Sequence, residues 1–201
     1  MGAQSGTNGN DTFYMSTMGA PVYPETGHSY NALGGSDTVY GGIYNDLIQG
    51  GYGNDLIFGN NGDDALVGQQ GNDEMHGGNG NDFLHGGSSD AGQDYLDGGA
   101  GQDRMYGGPG DDIYVHGLNG GVDIINDGAS EALVAGYGGG VDVLVFVGFA
   151  LADLYPYRLP DTDDLLLTTW DDFSDGIIED GVVIEDFYLN ESNTFIEFVY
   201  T

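Results

Sequence analysis

Aspartate recurs at a fixed interval through the first half of this 201-residue chain. Asp37, Asp46, Asp55, Asp64, Asp73 and Asp82 lie nine residues apart, and Asp94, Asp103 and Asp112 resume that interval after one insertion. Carboxylates are hard oxygen donors. A row of them suits Ca²⁺, which takes six to eight oxygens, backbone carbonyls included, in flexible geometry. Zn²⁺ prefers imidazole or thiolate, and the chain has no cysteine for thiolate sites or disulfides. Mg²⁺ demands a stricter octahedron and keeps its waters. The bulk charge agrees with a hard cation. Asp and Glu total 33, Lys and Arg total 2, and the net charge is −31. Such a charge opposes compaction unless something neutralises it. Two cationic side chains, Arg104 and Arg158, also exclude duplex nucleic acid and anionic membrane surfaces as electrostatic partners.

Each of these aspartates is the sixth residue of a nine-residue unit. From residue 32 to 115 the units read ALGGSDTVY, GGIYNDLIQ, GGYGNDLIF, GNNGDDALV, GQQGNDEMH, GGNGNDFLH, the longer GGSSDAGQDYLD, GGAGQDRMY and GGPGDDIYV. An isolated unit, GTNGNDTFY, carries Asp11. The eighth position is always apolar: Val39, Ile48, Ile57, Leu66, Met75, Leu84, Leu96, Met105 and Tyr114. Glycines at positions one, two and four permit a tight reversal. Positions seven to nine alternate as a strand with only the eighth inward. The spacing predicts a six-residue turn and a three-residue strand per unit, two units per coil, and a thin core between two parallel sheets. Stacked strands lie about 4.8 Å apart. One column then holds Asp37, Asp55, Asp73, Asp94 and Asp112, and the other Asp46, Asp64, Asp82 and Asp103. Carboxylates at that spacing repel by roughly 1 kcal/mol in water and by more near protein. A cation between each pair reverses the sign.

At these residues the chain resembles the RTX (repeats-in-toxin) proteins, whose nonapeptide is G-G-x-G-x-D-x-U-x. The resemblance implies an all-β fold: a right-handed parallel β-roll, a β-solenoid of calcium-binding nonapeptide repeats, with a C-terminal β-rich cap. It implies that the sixth-position aspartates share each Ca²⁺ with turn carbonyls. Those carbonyls would belong to Gly35, Gly51, Gly53, Gly62, Gly71, Gly78, Gly80, Gly99, Gly101, Gly108 and Gly110. The gaps within the two columns imply about seven ions. Tyr44 in place of a fourth-position glycine, and the insertion at 88–90, depart from the pattern. The resemblance further implies a secreted, extracellular or cell-surface protein, exported unfolded by type I secretion machinery and folding on Ca²⁺ outside the cell.

Three segments follow: residues 1–31 as a repeat-like turn and cap or connection, 32–127 as the roll, and 128–201 as the capping region. In the last, 120–127 reads as a degenerate final turn. Residues 141–149, 163–170, 180–189 and 193–200 read as β-branched and aromatic strands. LADLYPYRL between them reads as a short helical turn or a loop. The order resembles the C-terminal flank of RTX modules, which carries the export signal. No run of 18 apolar residues predicts a membrane span. His28, His76, His85 and His116 read as ordinary surface or edge residues. Neither H-E-x-x-H nor G-x-S-x-G occurs, so no zinc protease or serine hydrolase is expected. The acidic stretch 171–181 lacks the EF-hand ligand at its third and twelfth positions and reads as a turn. No threonine row supports ice binding. Leu47, Ala65 and Phe83, with Val67 and Tyr106 nearby, form an apolar outer row that a terminal segment covers or a partner meets. The leading reading is a non-catalytic, monomeric calcium-binding module. Its alternatives are a carbohydrate-associated R-module of an extracellular polysaccharide-modifying enzyme, similar to those of mannuronan epimerases and binding a glycan, and the terminal domain of an adhesin.

Overall fold

Successive strands fall alternately on two sheets, as units of nine with inward eighth positions require. The computed structural model describes residues 4–15, 27–89, 91–126, 141–148, 153–160, 164–169, 178–184 and 195–200. Through the repeats run β1 (Gln4–Ser5), β2 (Thr12–Tyr14), β3 (Ser29–Asn31), β4 (Thr38–Tyr40), β5 (Leu47–Tyr52), β6 (Leu56–Asn61), β7 (Ala65–Gln70), β8 (Glu74–Asn79), β9 (Phe83–His85), β10 (Tyr95–Ala100), β11 (Arg104–Tyr106) and β12 (Ile113–Gly117). Beyond them lie β13 (Val122–Ile125), β14 (Val141–Val147), β15 (Leu154–Arg158), β16 (Leu165–Thr169), β17 (Gly181–Ile184) and β18 (Phe195–Tyr200). One sheet has the order β1-β3-β5-β7-β9-β11-β13-β17-β16-β15, the other β18-β14-β12-β10-β8-β6-β4-β2. Neighbours in the repeats are parallel, with Ile48 facing Leu66 on one sheet and Ile57 facing Met75 on the other. The chain is therefore a β-roll.

Several strands run longer than three residues. β5, β6, β7, β8 and β10 each extend into the next turn, because Gly51 pairs with Gln69 and Asn60 with Gly78 across the stack. Backbone polar groups of the turns thus find partners on the adjoining coil rather than in water. Fifth-position side chains add to this. The Asn10, Asn54 and Asn72 side-chain oxygens accept the N–H of Ser36, Asn72 and Gln93, and Asp63 and Asn81 do the same for Asn81 and Gln102.

Every predicted eighth-position residue from Val39 to Tyr114 has no exposed surface, and Ile125 and Leu144 continue the row. Tyr114 fits because its hydroxyl accepts the Gly107 N–H at 2.8 Å. At the N-terminal end Phe13 and Tyr30 stack across the core, with ring centroids 4.0 Å apart. Tyr30 lies in β3, which pairs with β1 and β5. Residues 27–31 thus form part of a coil rather than a separate cap, while 16–26 lie outside the described residues.

In-register stacking also aligns the ninth positions. Tyr14, Tyr40, Phe58 and His76 form a ladder of nearly parallel rings 4.7 to 5.0 Å apart. On the opposite sheet Leu47 and Phe83 of the apolar outer row remain exposed at 40% and 37%.

The parallel stacking continues past residue 127. β13 pairs with β11 and β17, and β14 pairs with β12 and β18, all in parallel. Among the described strands only β16 runs against its neighbours, pairing antiparallel with β17 and with β15. The segment LADLYPYRL is neither helix nor loop over 154–158. It is β15, which pairs along β16. Its leucines and tyrosines have no period to announce a strand, and the pairing partner decides. Pro156 is tolerated because β15 is the outermost strand of its sheet. Residue 90, Trp170, Phe187, 127–140 and 171–177 lie outside the described residues.

Candidate metal centre

Each sixth-position aspartate sits where a turn enters a strand, held there by its neighbour in the stack. The backbone N–H of Asp37 donates to Asp55 Oδ1, and that of Asp55 to Asp73 Oδ1, both at 2.8 Å. In the other column Asp46 donates to Asp64 and Asp64 to Asp82, at 2.6 and 2.7 Å. The insertion is looped out without loss of register: Asp73 still reaches Asp94 and Asp82 still reaches Asp103, both at 2.8 Å, and Asp94 reaches Asp112 at 2.9 Å. The nine aspartates are therefore brought together in the two predicted columns.

The second oxygen is the chemically informative one. Oδ2 of Asp37, Asp55, Asp64, Asp82, Asp103 and Asp112 is buried and accepts no hydrogen bond. Burying a carboxylate oxygen without a partner is costly. The metal-free electrostatics report that cost. Burial raises Asp55 and Asp82 to about 6, Asp64 and Asp103 to about 7, and Asp112 to about 8; the backbone N–H bonds oppose the rise, and neighbouring carboxylates add to it.

Glycine chemistry explains what surrounds that oxygen. A Cβ on Gly50, Gly59, Gly68, Gly77, Gly98 or Gly107, all at position one, would strike Oδ2 of the aspartate in the same unit. The same point is approached by a first-position carbonyl one coil on, Gly68 O at Gly50 and Gly77 O at Gly59. The cradle is lined with oxygen and too tight for a side chain. Gly35, Gly51, Gly53, Gly62, Gly71, Gly78, Gly80, Gly99, Gly101, Gly108 and Gly110 all adopt positive φ, between 95° and 148°. Leu33, Asn60 and Gln69 take the left-handed second position without glycine's freedom. Among the described residues no group of three or more His, Asp or Glu side chains is arranged to hold a metal ion. Each cradle would thus combine carboxylate with backbone carbonyl, the donor mixture that Ca²⁺ accepts.

The two irregular turns differ. With Tyr44 at position four, the Gly42 N–H donates to Asp46 Oδ2 at 2.9 Å, so this oxygen already accepts one hydrogen bond. In the inserted unit Gly92 stands at position four, against the Gly71 carbonyl, and was not among the glycines expected.

Four further side chains join the columns. Asp11 N–H donates to Asp37 Oδ1, and His28 N–H to Asp46 Oδ1. Counting back eighteen residues from Asp46 would have found His28, whereas Asp11, sixth in its own isolated unit, lies 26 residues before Asp37. At the other end Asp103 N–H donates to Asp123 Oδ1 at 3.0 Å and Asp112 N–H to Asp142 Oδ1 at 2.9 Å. Their spacings of 20 and 30 residues hide them from a nine-residue count. Two of the histidines expected at the surface are buried: His28 in this column and His116 beside Asp123.

An oxygen-lined β-roll with glycine cradles defines a class, the repeat solenoids that take hard cations in their turns. A family comparison agrees: the RTX calcium-binding nonapeptide repeat (4 copies) matches residues 31–66, 58–90 and 89–114. Residues 31–114 are thus RTX repeats, and the chain contains a calcium-binding module. No curated protein matches the chain.

Proposed function

We propose that this chain is a non-catalytic module whose folding is driven by Ca²⁺ outside the cell, and that it supports type I export and stability of an extracellular protein. The observation that carries the reading is the set of buried aspartate oxygens lacking any donor; in all of their units but that of Asp37, which begins with Ala32, a first-position glycine keeps a Cβ from occupying the space beside the oxygen. The ligands are the sixth-position aspartates and turn carbonyls, to which we add Asp142 at the end of one column. Without the ion these carboxylates repel and are desolvated; with it both penalties reverse. A ligand that binds only the folded state stabilises it by mass action. The chain would therefore cross an exporter extended, where calcium is scarce, and condense where calcium is plentiful.

The test is a calcium titration followed by far-ultraviolet circular dichroism. Little β-structure in EDTA and a cooperative gain with Ca²⁺ is the expected result, with Mg²⁺ at equal concentration doing much less. Equal β-structure in EDTA and in Ca²⁺ overturns the coupling.

A further inference from the structure

The two carboxylate columns end differently. In one, Asp142 continues the pattern from a strand of the C-terminal region. In the other, Asp123 occupies the stacked position, but its second oxygen is engaged by the protein itself: His116 Nδ1 lies 2.7 Å from Asp123 Oδ2. The opposite ring nitrogen, Nε2, lies 3.1 Å from Asp180 Oδ1. His116, Asp123 and Asp180 are all buried, at 1%, 1% and 7% exposure.

We propose that His116 is a resident cation of the roll, its imidazolium taking, at the end of this column, the place that calcium takes between the coils before it. The inference rests on the calcium reading of the columns. Two ring nitrogens each facing a carboxylate oxygen must both carry hydrogen, since a neutral ring offers one donor and one acceptor. Among the described residues, the charged groups facing the ring are Asp123 and Asp180, from the strand and the turn packed on either side of it. Burial pushes His116 down, but its hydrogen bonds to these two carboxylates and their charges outweigh that and raise it to about 9. The Phe146 ring stands edge-on to the imidazole, 5.8 Å away.

Position gives the ion pair its purpose. Asp180 also accepts the Asn119 N–H at 2.7 Å, and its carbonyl accepts the Thr168 hydroxyl at 2.7 Å. The single imidazolium therefore joins β12, β13, the turn between them, β16 and the entry to β17. It fastens the last repeat to the C-terminal strands by a cation that needs no supply from solution. A calcium ion there would leave this joint as dependent on outside calcium as the repeats are.

Two measurements test this. In the calcium-loaded protein at pH 7.5, the ¹⁵N shifts of the His116 ring, assigned by their loss in His116→Gln, should be those of a doubly protonated imidazole. A neutral ring overturns the proposal, whether or not any variant folds. Native mass spectrometry in excess Ca²⁺ should find one more bound ion in His116→Ala than in the parent, because Asp123 and Asp180 are then left facing an uncompensated gap. An unchanged ion count in a folded His116→Ala also overturns it. A parent protein that binds no calcium would instead sink the reading of the columns, so the two failures are separable.

Discussion

A carboxylate raised by burial makes a definite statement about pH. The unfolded aspartate titrates near ~3.9, whereas in the metal-free roll Asp55 and Asp82 lie at about 6, Asp64 and Asp103 at about 7, and Asp112 at about 8. Between those limits the folded chain holds more protons than the unfolded one, so its stability rises as pH falls. In EDTA, β-structure should increase from pH 8 down to pH 5. In calcium the trend should invert, because protons compete for the same oxygens, and the calcium midpoint should climb over that range. Circular dichroism at a series of pH values checks both; a metal-free chain indifferent to pH would refute the burial argument. Glycine supplies a second residue-scale prediction. Gly80 has φ of 135° and its missing Cβ would strike the Gly62 carbonyl, whereas a Cβ on Gly117 would meet nothing within 4 Å. Gly80→Ala should raise the calcium midpoint several-fold and Gly117→Ala should leave it nearly unchanged.

A strand in this roll has one inward side chain and gains its stability from the two strands beside it. Leu66 has no exposed surface and lies between Ile48 and Leu84 in its row. Leu66→Ala should cost about 2–5 kcal/mol, read as a higher calcium midpoint, while Leu47→Ala on the exposed outer face should cost little. The inward row was fully legible in the sequence, because a strict period fixes both the sheet and the face of every unit. So was the aspartate set, for the same reason. What escaped was set by contact rather than by count. Asp123 and Asp142 return to the columns after connections of irregular length, His28 hides its place by not being an aspartate, and β15 becomes a strand only because β16 offers it an edge. The aromatic ladder through Tyr40 and Phe58 was present in the ninth positions, but its stacking follows only from exact register between coils.

Whole-molecule stability in a solenoid is built from neighbouring repeats, and an end without a neighbour is the weak place. Here both sheets pass without a break into the C-terminal strands, through β13 and β17 on one side and β14 and β18 on the other. The region therefore supplies the preformed edge on which the first coil can grow, as well as Asp142 and the His116 joint. A chain ending at residue 115 should stay largely unfolded at millimolar Ca²⁺. Circular dichroism showing the same midpoint as the full chain would mean that the C-terminal strands only cover the roll.

One layer of the stack holds eighteen residues between equivalent aspartates, and its strands lie across the long axis rather than along it. A pull on the two termini would therefore load the hydrogen bonds between layers one row at a time, as a zip is opened, instead of shearing them together. Each released layer would pay out roughly 60 Å of extended backbone, at about 3.4 Å per residue. The roll is thus a coil of stored length, one that would yield layer by layer under tension and rewind layer by layer when slack.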